Sequence, residues 1–348
     1  MDQPFALSCP VPLNRHKTVV MGHGSGGRLT AQLVHDLFLP AFDNPLLRKL
    51  DDQAVVEVGA SRVAFTTDSF VVTPLFFPGG DIGELAVNGT VNDIAMSGAT
   101  PLCLSAAFIM EEGLAMEELA RVVASMSAAA ARAGVAIVTG DTKVVNRRSA
   151  DKLFVTTTGL GLVPDGVSIS ASNARPGDAV ILSGTIADHG MAVMTRRENI
   201  EIDGAILSDT QPLHGLVAAM LKAGEIHALR DPTRGGLGTS LCEIAAASNV
   251  GVEIEARAIP VREEVKGACE LLGIDPLFVA NEGKLVTFVR ADCAAAVLEA
   301  MRALPEGRGS VILGRAVEAH AGMVVMKTEI GGSRILDLPF GEQLPRIC

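Results

Sequence analysis

TTDSFVVTPLFFPGGDIGELAVNGTVNDIAMSGATP, residues Thr66–Pro101, holds two periodicities separated by a turn. Its first residues close an alternating run, Arg62–Val72, that reads as a strand with Asp68 inside it. A carboxylate within an otherwise apolar strand is expensive to bury unless it is paired or bound to a metal. After the Pro78-Gly79-Gly80 turn, Asp81 stands where an N-cap belongs, and Asp81–Gly98 reads as a helix. Ala86, Val87, Val91, Ile94, Ala95 and Met96 make that helix mostly buried. Asn88 and Asn92, four residues apart, share one of its faces, and Asp93 adjoins it. Pro101–Met110 then returns to a strand, so the unit is strand, helix, strand.

Working outward, Leu50-Asp51-Asp52-Gln53 precedes a short strand, Ala54–Val58. Downstream, Ala115–Ala133 is an alanine-rich helix stopped by Gly134. A short strand, Val135–Val138, runs into the loop Thr139-Gly140-Asp141-Thr142-Lys143, and Leu153–Val163 closes this half. Pro164–Gly177 reads as the boundary to a second α/β half. That half has strands at 178–183, 250–255, 284–289 and 311–317, and helices near 187–197, 213–223, 237–248, 262–272 and 294–304. The expected organisation is α/β in two domains, 44–165 and 166–335, preceded by a segment 1–43 and followed by a tail 336–348.

Composition excludes several function classes. The chain has 348 residues and a net charge of −11 with no basic block, and it lacks Trp and Tyr. Nucleic acid is therefore an unexpected partner. No run is long and apolar enough to span a membrane, and the N-terminus lacks a secretory pattern, so a cytoplasmic protein is expected. The six cysteines include no C-x-x-C pair, which argues against a zinc site or a disulfide framework.

Four features carry candidate chemistry. Gly24, Gly26 and Gly27 lie in GHGSGGRLT (22–30), a loop opening onto a helical pattern, where amides can approach an anion; a flexible linker reads equally well. Asp51, Asp52, Asp68, Asp93 and Asp141 all fall at strand ends or beside strands of the first half. Carboxylates near glycine loops suit Mg²⁺ bridging nucleotide phosphates, although a single aspartate is more often a turn or a cap. Asp231-Pro232-Thr233-Arg234-Gly235-Gly236 is a second candidate anion nest, and Glu282 sits in a turn between apolar runs. Finally, Pro345-Arg346-Ile347-Cys348 reads as an extended tail that could carry a thiol well away from the domain body; a frayed end with a chance cysteine is the plainer alternative.

Taken together, GHGSGGRLT, DDQAVV (51–56), residues 66–101, VTGDTKVV (138–145), DPTRGGL (231–237), ANEGKL (280–285) and PRIC (345–348) resemble the superfamily of aminoimidazole ribonucleotide synthetase and selenophosphate synthetase. Within it they resemble the HypE family, the carbamoyl dehydratases of [NiFe]-hydrogenase maturation, over essentially the whole chain. The resemblance implies a homodimer whose first domains close a shared β-barrel, with a second α/β domain and a mobile tail. It implies ATP-dependent conversion of a thiocarboxamide on Cys348 to a thiocyanate. A HypF-type carbamoyltransferase would supply the carbamoyl group, and a HypC–HypD complex would take the cyanide ligand to iron. By resemblance, Asp68, Asp93 and Asp141 would hold Mg²⁺ and ATP, with Asp51, Asp52, Asn92, Gly140, Thr142 and the glycine loop nearby. Lys143 is expected as electrostatic stabiliser and Glu282 as base, with a cap or lid role for Glu282 as the plainer alternative. A sibling synthetase acting on a small molecule is the competing enzyme, with Cys9 as the residue that would mark it; a nucleotide-binding scaffold without chemistry is the competing class.

Overall fold

The computed structural model describes residues 18–339 and 346–348; Cys9 and Pro345 lie outside the described residues. Two sheets organise the chain. The first is built from β1 (Ala54–Val58), β2 (Ser61–Phe70), β3 (Thr100–Glu111), β4 (Ala136–Val145) and β5 (Leu153–Val163), in the order β1-β2-β5-β3-β4. Only β3 and β4 pair in parallel, joined by the crossover helix α2 (Met116–Arg132). One helix, α1 (Ile82–Met96), lies across β2 and β5.

Its start is fixed by Asp81, whose carboxylate accepts from the Gly83 and Glu84 amides at 2.7 and 3.1 Å. Apolar residues surround α1 on all sides. Leu85, Ala86, Val91 and Ile94 belong to the core under the first sheet, while Ala95 and Met96 belong to a core shared with Ile181, Leu213 and Leu229 of the second half. Helix α1 is therefore the hinge pin of the molecule, which is why its sequence shows so little amphipathicity.

The second sheet has seven strands: β6 (Ala179–Leu182), β7 (Ile226–Arg230), β8 (Gly251–Glu255), β9 (Val286–Val289), β10 (Val311–Val317), β11 (Val324–Lys327) and β12 (Ser333–Leu336). Their order is β12-β11-β8-β10-β6-β9-β7. Helices α3 (Asp188–Glu198), α4 (His214–Ala223), α5 (Gly236–Ser248), α6 (Glu263–Leu272) and α7 (Ala294–Arg302) cover it. Among the described residues no helix is long and apolar enough to cross a membrane.

Two differences from the sequence reading have clear causes. The strand expected over 135–138 continues to Val145, because Ala136–Val145 pairs along Cys103–Glu111 and this ladder overrides the turn chemistry of Thr139-Gly140-Asp141. Gly140 permits it: a Cβ there would stand 2.0 Å from the Ala106 carbonyl oxygen. The structure adds strands β7, β11 and β12 to those expected, and two of them are fixed by pairing with a strand distant in the chain, β7 with β9 and β11 with β8.

Candidate functional site

Asp68 points from the middle of β2, opposite Thr157 of β5, towards the underside of α1. Gly89 of α1 makes room there; a Cβ would press on the Phe70 ring at 2.9 Å. One turn on, Asp93 accepts from the Thr66 hydroxyl at 2.8 Å and hydrogen-bonds to Asp68. The 231–236 turn, which leaves β7 and opens α5, brings Asp231, Thr233 and Arg234 to the same place. Glu282 arrives from the loop before β9, its amide donating to Asp209 Oδ1 at 3.0 Å. Asp52 completes the wall beside Arg230, 3.5 Å away. These groups and Cys348 line a cavity of about 200 Å³.

Charge dominates this cavity. Burial, and then Asp68, hold the Asp93 carboxyl well above the usual range. Burial likewise raises Asp68, lifts Asp231 and Glu282 far upward, and takes Asp52 up to about 6. Burial pulls the Arg230 guanidinium down, but Asp52 and Glu243 outweigh it and the group stays above its ordinary range. Arg234 is raised by the Cys348 sulfur and by Asp68 and Glu282. Burial, then Glu282, pushes the Cys348 thiol far up.

Asp231 Oδ2 and Glu282 Oε1 are buried without a hydrogen-bond partner. Unsatisfied hard oxygens under mutual repulsion are the donors a Mg²⁺ ion prefers. No three of the described His, Cys, Asp or Glu residues enclose an ion by themselves, so phosphate oxygens and water would have to complete its shell. The repulsion has a measurable sign. Asp52, ordinarily near 3.8 and here about 6, contributes stability that is full below the first value and lost as pH rises through the second, on the order of 2–3 kcal/mol at most. Lowering the pH from 7 to 5.5 is therefore expected to raise the urea midpoint of the ligand-free chain. Saturating Mg²⁺ with nucleotide is expected to flatten that slope, and a midpoint that falls over this window would contradict the reading.

The glycine loop reaches the rim of the cavity. Arg234 donates to the Gly24 carbonyl at 3.2 Å, and Gly26, at φ +80°, packs so closely that a Cβ would lie 2.7 Å from the Arg234 carbonyl. Gly27 caps the helical turn Arg28–Leu33 beside Pro339. The last residues lie inside as well: Val71 N donates to Cys348 O at 3.2 Å and Thr73 N to Arg346 O at 3.3 Å.

Other expected site residues are placed elsewhere. Asp51 is taken up by the Ser170 hydroxyl and the Ala171 amide at 2.9 and 2.8 Å, so it caps the interdomain turn instead of facing the cavity. Asn92 spends its amide on the second domain, accepting from Leu213 N at 2.7 Å and donating to Gln211 O at 3.1 Å. Gly140, Asp141, Thr142 and Lys143 lie on the edge strand β4, where Lys143 pairs with Asp141 at 2.7 Å and their side chains are 67% and 64% exposed. Gly140, Asp141 and Thr142 border a separate cavity of about 900 Å³ with Val123 and Met126 of α2. The ladder puts Gly140 on the row of Asp68 but three strands across, about 14 Å away. Within one chain, then, Asp141 does not join Asp68 and Asp93, and Arg234 is the cation beside the sulfur instead of Lys143.

Asp231 and Arg234 are visible in the sequence as a candidate anion nest, without a role for either side chain. Their signal was the Gly235-Gly236 pair, which adopts φ +82° and +63° and turns the chain sharply at the cavity.

Two family models match the chain: the AIR synthase related protein N-terminal domain over residues 50–163 and the corresponding C-terminal domain over residues 175–327. The carbamoyl dehydratase HypE of Azotobacter vinelandii is 55% identical over 335 residues, 96% of this chain and 98% of that protein. A crystal structure of a HypE–HypF complex superposes with a TM-score of 0.84 at 49% identity, covering 88% of this chain and 99% of that one. HypE in complex with ATP superposes with a TM-score of 0.81 at 48% identity, covering 95% and 100%. With this fold, this cavity and these relatives, the chain belongs to the HypE carbamoyl dehydratase family of AIR synthase related proteins.

Proposed function

We propose that this chain is an ATP-dependent carbamoyl dehydratase of [NiFe]-hydrogenase maturation that converts a thiocarboxamide on Cys348 into a thiocyanate. The observation that carries the reading is the position of Cys348, which lines the carboxylate cavity together with Glu282 and Arg234. The HypE relatives, one of them crystallised with ATP and another with HypF, support it.

The chemistry balances at this site. The carbonyl oxygen of S–C(=O)–NH₂ attacks the γ-phosphorus of ATP and ADP leaves, which turns a poor leaving group into phosphate. Two nitrogen protons are then removed as the C–O bond breaks, giving S–C≡N and inorganic phosphate. Glu282 is placed to take a proton, and its raised pKa makes it a stronger base once ionised. Arg234 faces the negative charge that develops at the phosphate. One or two of the Asp52, Asp68, Asp93 and Asp231 carboxylates, with phosphate oxygens and water, would hold Mg²⁺, which would neutralise charge on the transferred phosphoryl group. Gly24, Gly26 and Gly27 would lie over the phosphates.

The remaining expectations belong to the same proposal. A HypF-type carbamoyltransferase loads the thiol and a HypC–HypD complex accepts the cyano group, so Cys348 must leave the cavity between visits. A free thiol suits the reducing cytoplasm. The first domain forms the homodimer: Phe65, Leu102, Ile109, Leu160 and Leu162 are exposed on its sheet, and Phe65 and Leu160 are cross-strand neighbours there. A second copy closing this sheet would cover both the apolar residues and the free edge β4. Closure also offers Asp141, Thr142 and Lys143 a route to the partner's cavity.

Mass spectrometry of Cys348 after carbamoyl loading, before and after Mg-ATP, tests the reading. Loss of one water from the loaded tail is the expected result; ATP consumed over an unchanged loaded tail would sink it. For Lys143, Lys143→Ala and Glu282→Gln chains are mixed. Activity of the mixture when each variant is inactive alone would establish that Lys143 acts across the dimer, an inactive mixture would confine it to its own chain, and an active Lys143→Ala chain alone would exclude it.

A further inference from the structure

The last residues of the chain are held by their carbonyls, and one of the donors is a buried histidine that the chemistry above does not use. Thr73 N and Val71 N bind the Arg346 and Cys348 carbonyls at 3.3 and 3.2 Å, in the alternating manner of an added β-strand. The Ile347 carbonyl faces the other way and meets His189 Nε2 at 2.9 Å. A carbonyl only accepts, so Nε2 carries the proton. Burial disfavours the charged ring, which leaves Nδ1 bare to accept from the Ser208 hydroxyl at 2.8 Å. Ser208 Oγ in turn accepts from Thr210 N at 3.2 Å, and Thr210 Oγ1 accepts from Asn88 of α1 at 3.1 Å. Phe77 stands edge-on to the imidazole, ring centroids 5.4 Å apart. The Ile347 side chain is 3% exposed, in the apolar cluster of Ala187, Met191, Met194 and Ile206.

We infer that His189 is a positioning residue of the dehydration step: its Nε2–H, aligned by Ser208, fixes the register of the tail so that the residue after Ile347 delivers its sulfur to Glu282 and Arg234. This inference rests on the dehydratase reading. The amides of Val71 and Thr73, with the Arg197 guanidinium on the Arg346 carbonyl, hold the residues on either side of Ile347. The His189 donor holds the Ile347 carbonyl between them from the opposite edge, so the tail cannot pivot about the first grip. The loaded sulfur carries a group only three heavy atoms larger, and misplacement of the reacting atoms by a fraction of their contact distance is costly in rate. His189 also belongs to the same hydrogen-bonded series as α1, the helix that carries Asp93.

The test uses the full chain, loaded by the carbamoyl donor enzyme, with two readouts. One is the single-turnover rate of water loss per loaded tail with Mg-ATP; the other is tryptic cleavage after Arg346, whose side chain pairs with Asp151 when the tail is docked. His189→Leu should slow water loss roughly tenfold and raise cleavage by a similar factor, the worth of one hydrogen bond plus an orphaned carbonyl. His189→Gln, which keeps a donor at the end of its side chain, should recover most of both. Wild-type behaviour of His189→Leu in both readouts would overturn the inference. So would a His189→Gln chain as defective as His189→Leu, since the ring would then act by packing on Phe77 alone. Should His189→Leu fail to fold, Ser208→Ala leaves the ring in place and removes its alignment. It should raise cleavage two- to threefold, and unchanged cleavage would overturn the inference. A wild-type tail that is protected from trypsin but never loses water would remove the dehydratase reading by itself, and with it the step that His189 positions.

Discussion

Glu282→Gln should slow loss of water from the loaded tail by roughly 10²–10⁴-fold, the usual share of a positioned base. The same change should leave the fold intact. Glu282 is buried, with Oε1 unpartnered, and burial together with Asp231 and Asp209 holds its carboxyl well above the usual range. An amide of the same shape removes that repulsion, so the urea midpoint near neutral pH should stay level or rise. Catalysis and stability are thus expected to move in opposite directions. The Cys348 thiol offers an independent check. Glu282 is, after burial, the main cause of its raised pKa, so alkylation of the docked thiol at mildly alkaline pH should quicken in the variant. A rate within tenfold of wild type would leave Glu282 as a wall of the cavity and no base.

Arg234→Met should lower stability by about 1–2 kcal/mol, because its side chain stands exposed at the rim of the cavity, where solvent screens its attraction for the carboxylates and one hydrogen bond to the glycine loop is lost. Arg234 faces the Cys348 sulfur, Asp68, Glu282 and Asp93, and its guanidinium also holds the Gly24 carbonyl. Without it the carboxylates keep their mutual repulsion and lose their nearest cation, and the glycine loop loses its tether. A double-mutant cycle separates these effects. If charge compensation dominates, Arg234→Met combined with Glu282→Gln should cost less than the sum of the two changes. If the tether dominates, the two should simply add. Urea midpoints of the four chains decide, and an Arg234→Met chain as stable as wild type would contradict the electrostatic account.

Much of this site was legible because the residues that build it are adjacent to strong local signals. Asp68 broke the alternation of β2, Asp81 announced α1, and Asn88, Asn92 and Asp93 followed at helical spacing. Glu282 stood as one acid between two apolar runs, and Cys348 closed a segment marked by Pro345. What went astray did so where a side chain's use depends on a partner distant in the chain. Asp51 looked like its neighbour Asp52, but Ser170 and Ala171 claim its carboxylate, 119 and 120 residues away. Asn92 is expected beside Mg²⁺ and ATP by resemblance, and in the structure its side-chain carbonyl accepts from Leu213, 121 residues away.

The sequence by itself determined the strand–helix–strand core, the two-domain α/β class and the family, because each follows from short-range periodicity, turn residues and motifs. Only the tertiary structure decided that Asp231 and Arg234 join the carboxylates, that β4 runs through Asp141 to Val145 and exposes Lys143, and that the tail docks in its own chain's cavity under His189. The physical reason is the same in each case. Ladder pairing, burial of charge and capture of a backbone carbonyl are set by groups from about thirty to more than a hundred residues apart. No local pattern encodes such a pairing until the chain is folded around it.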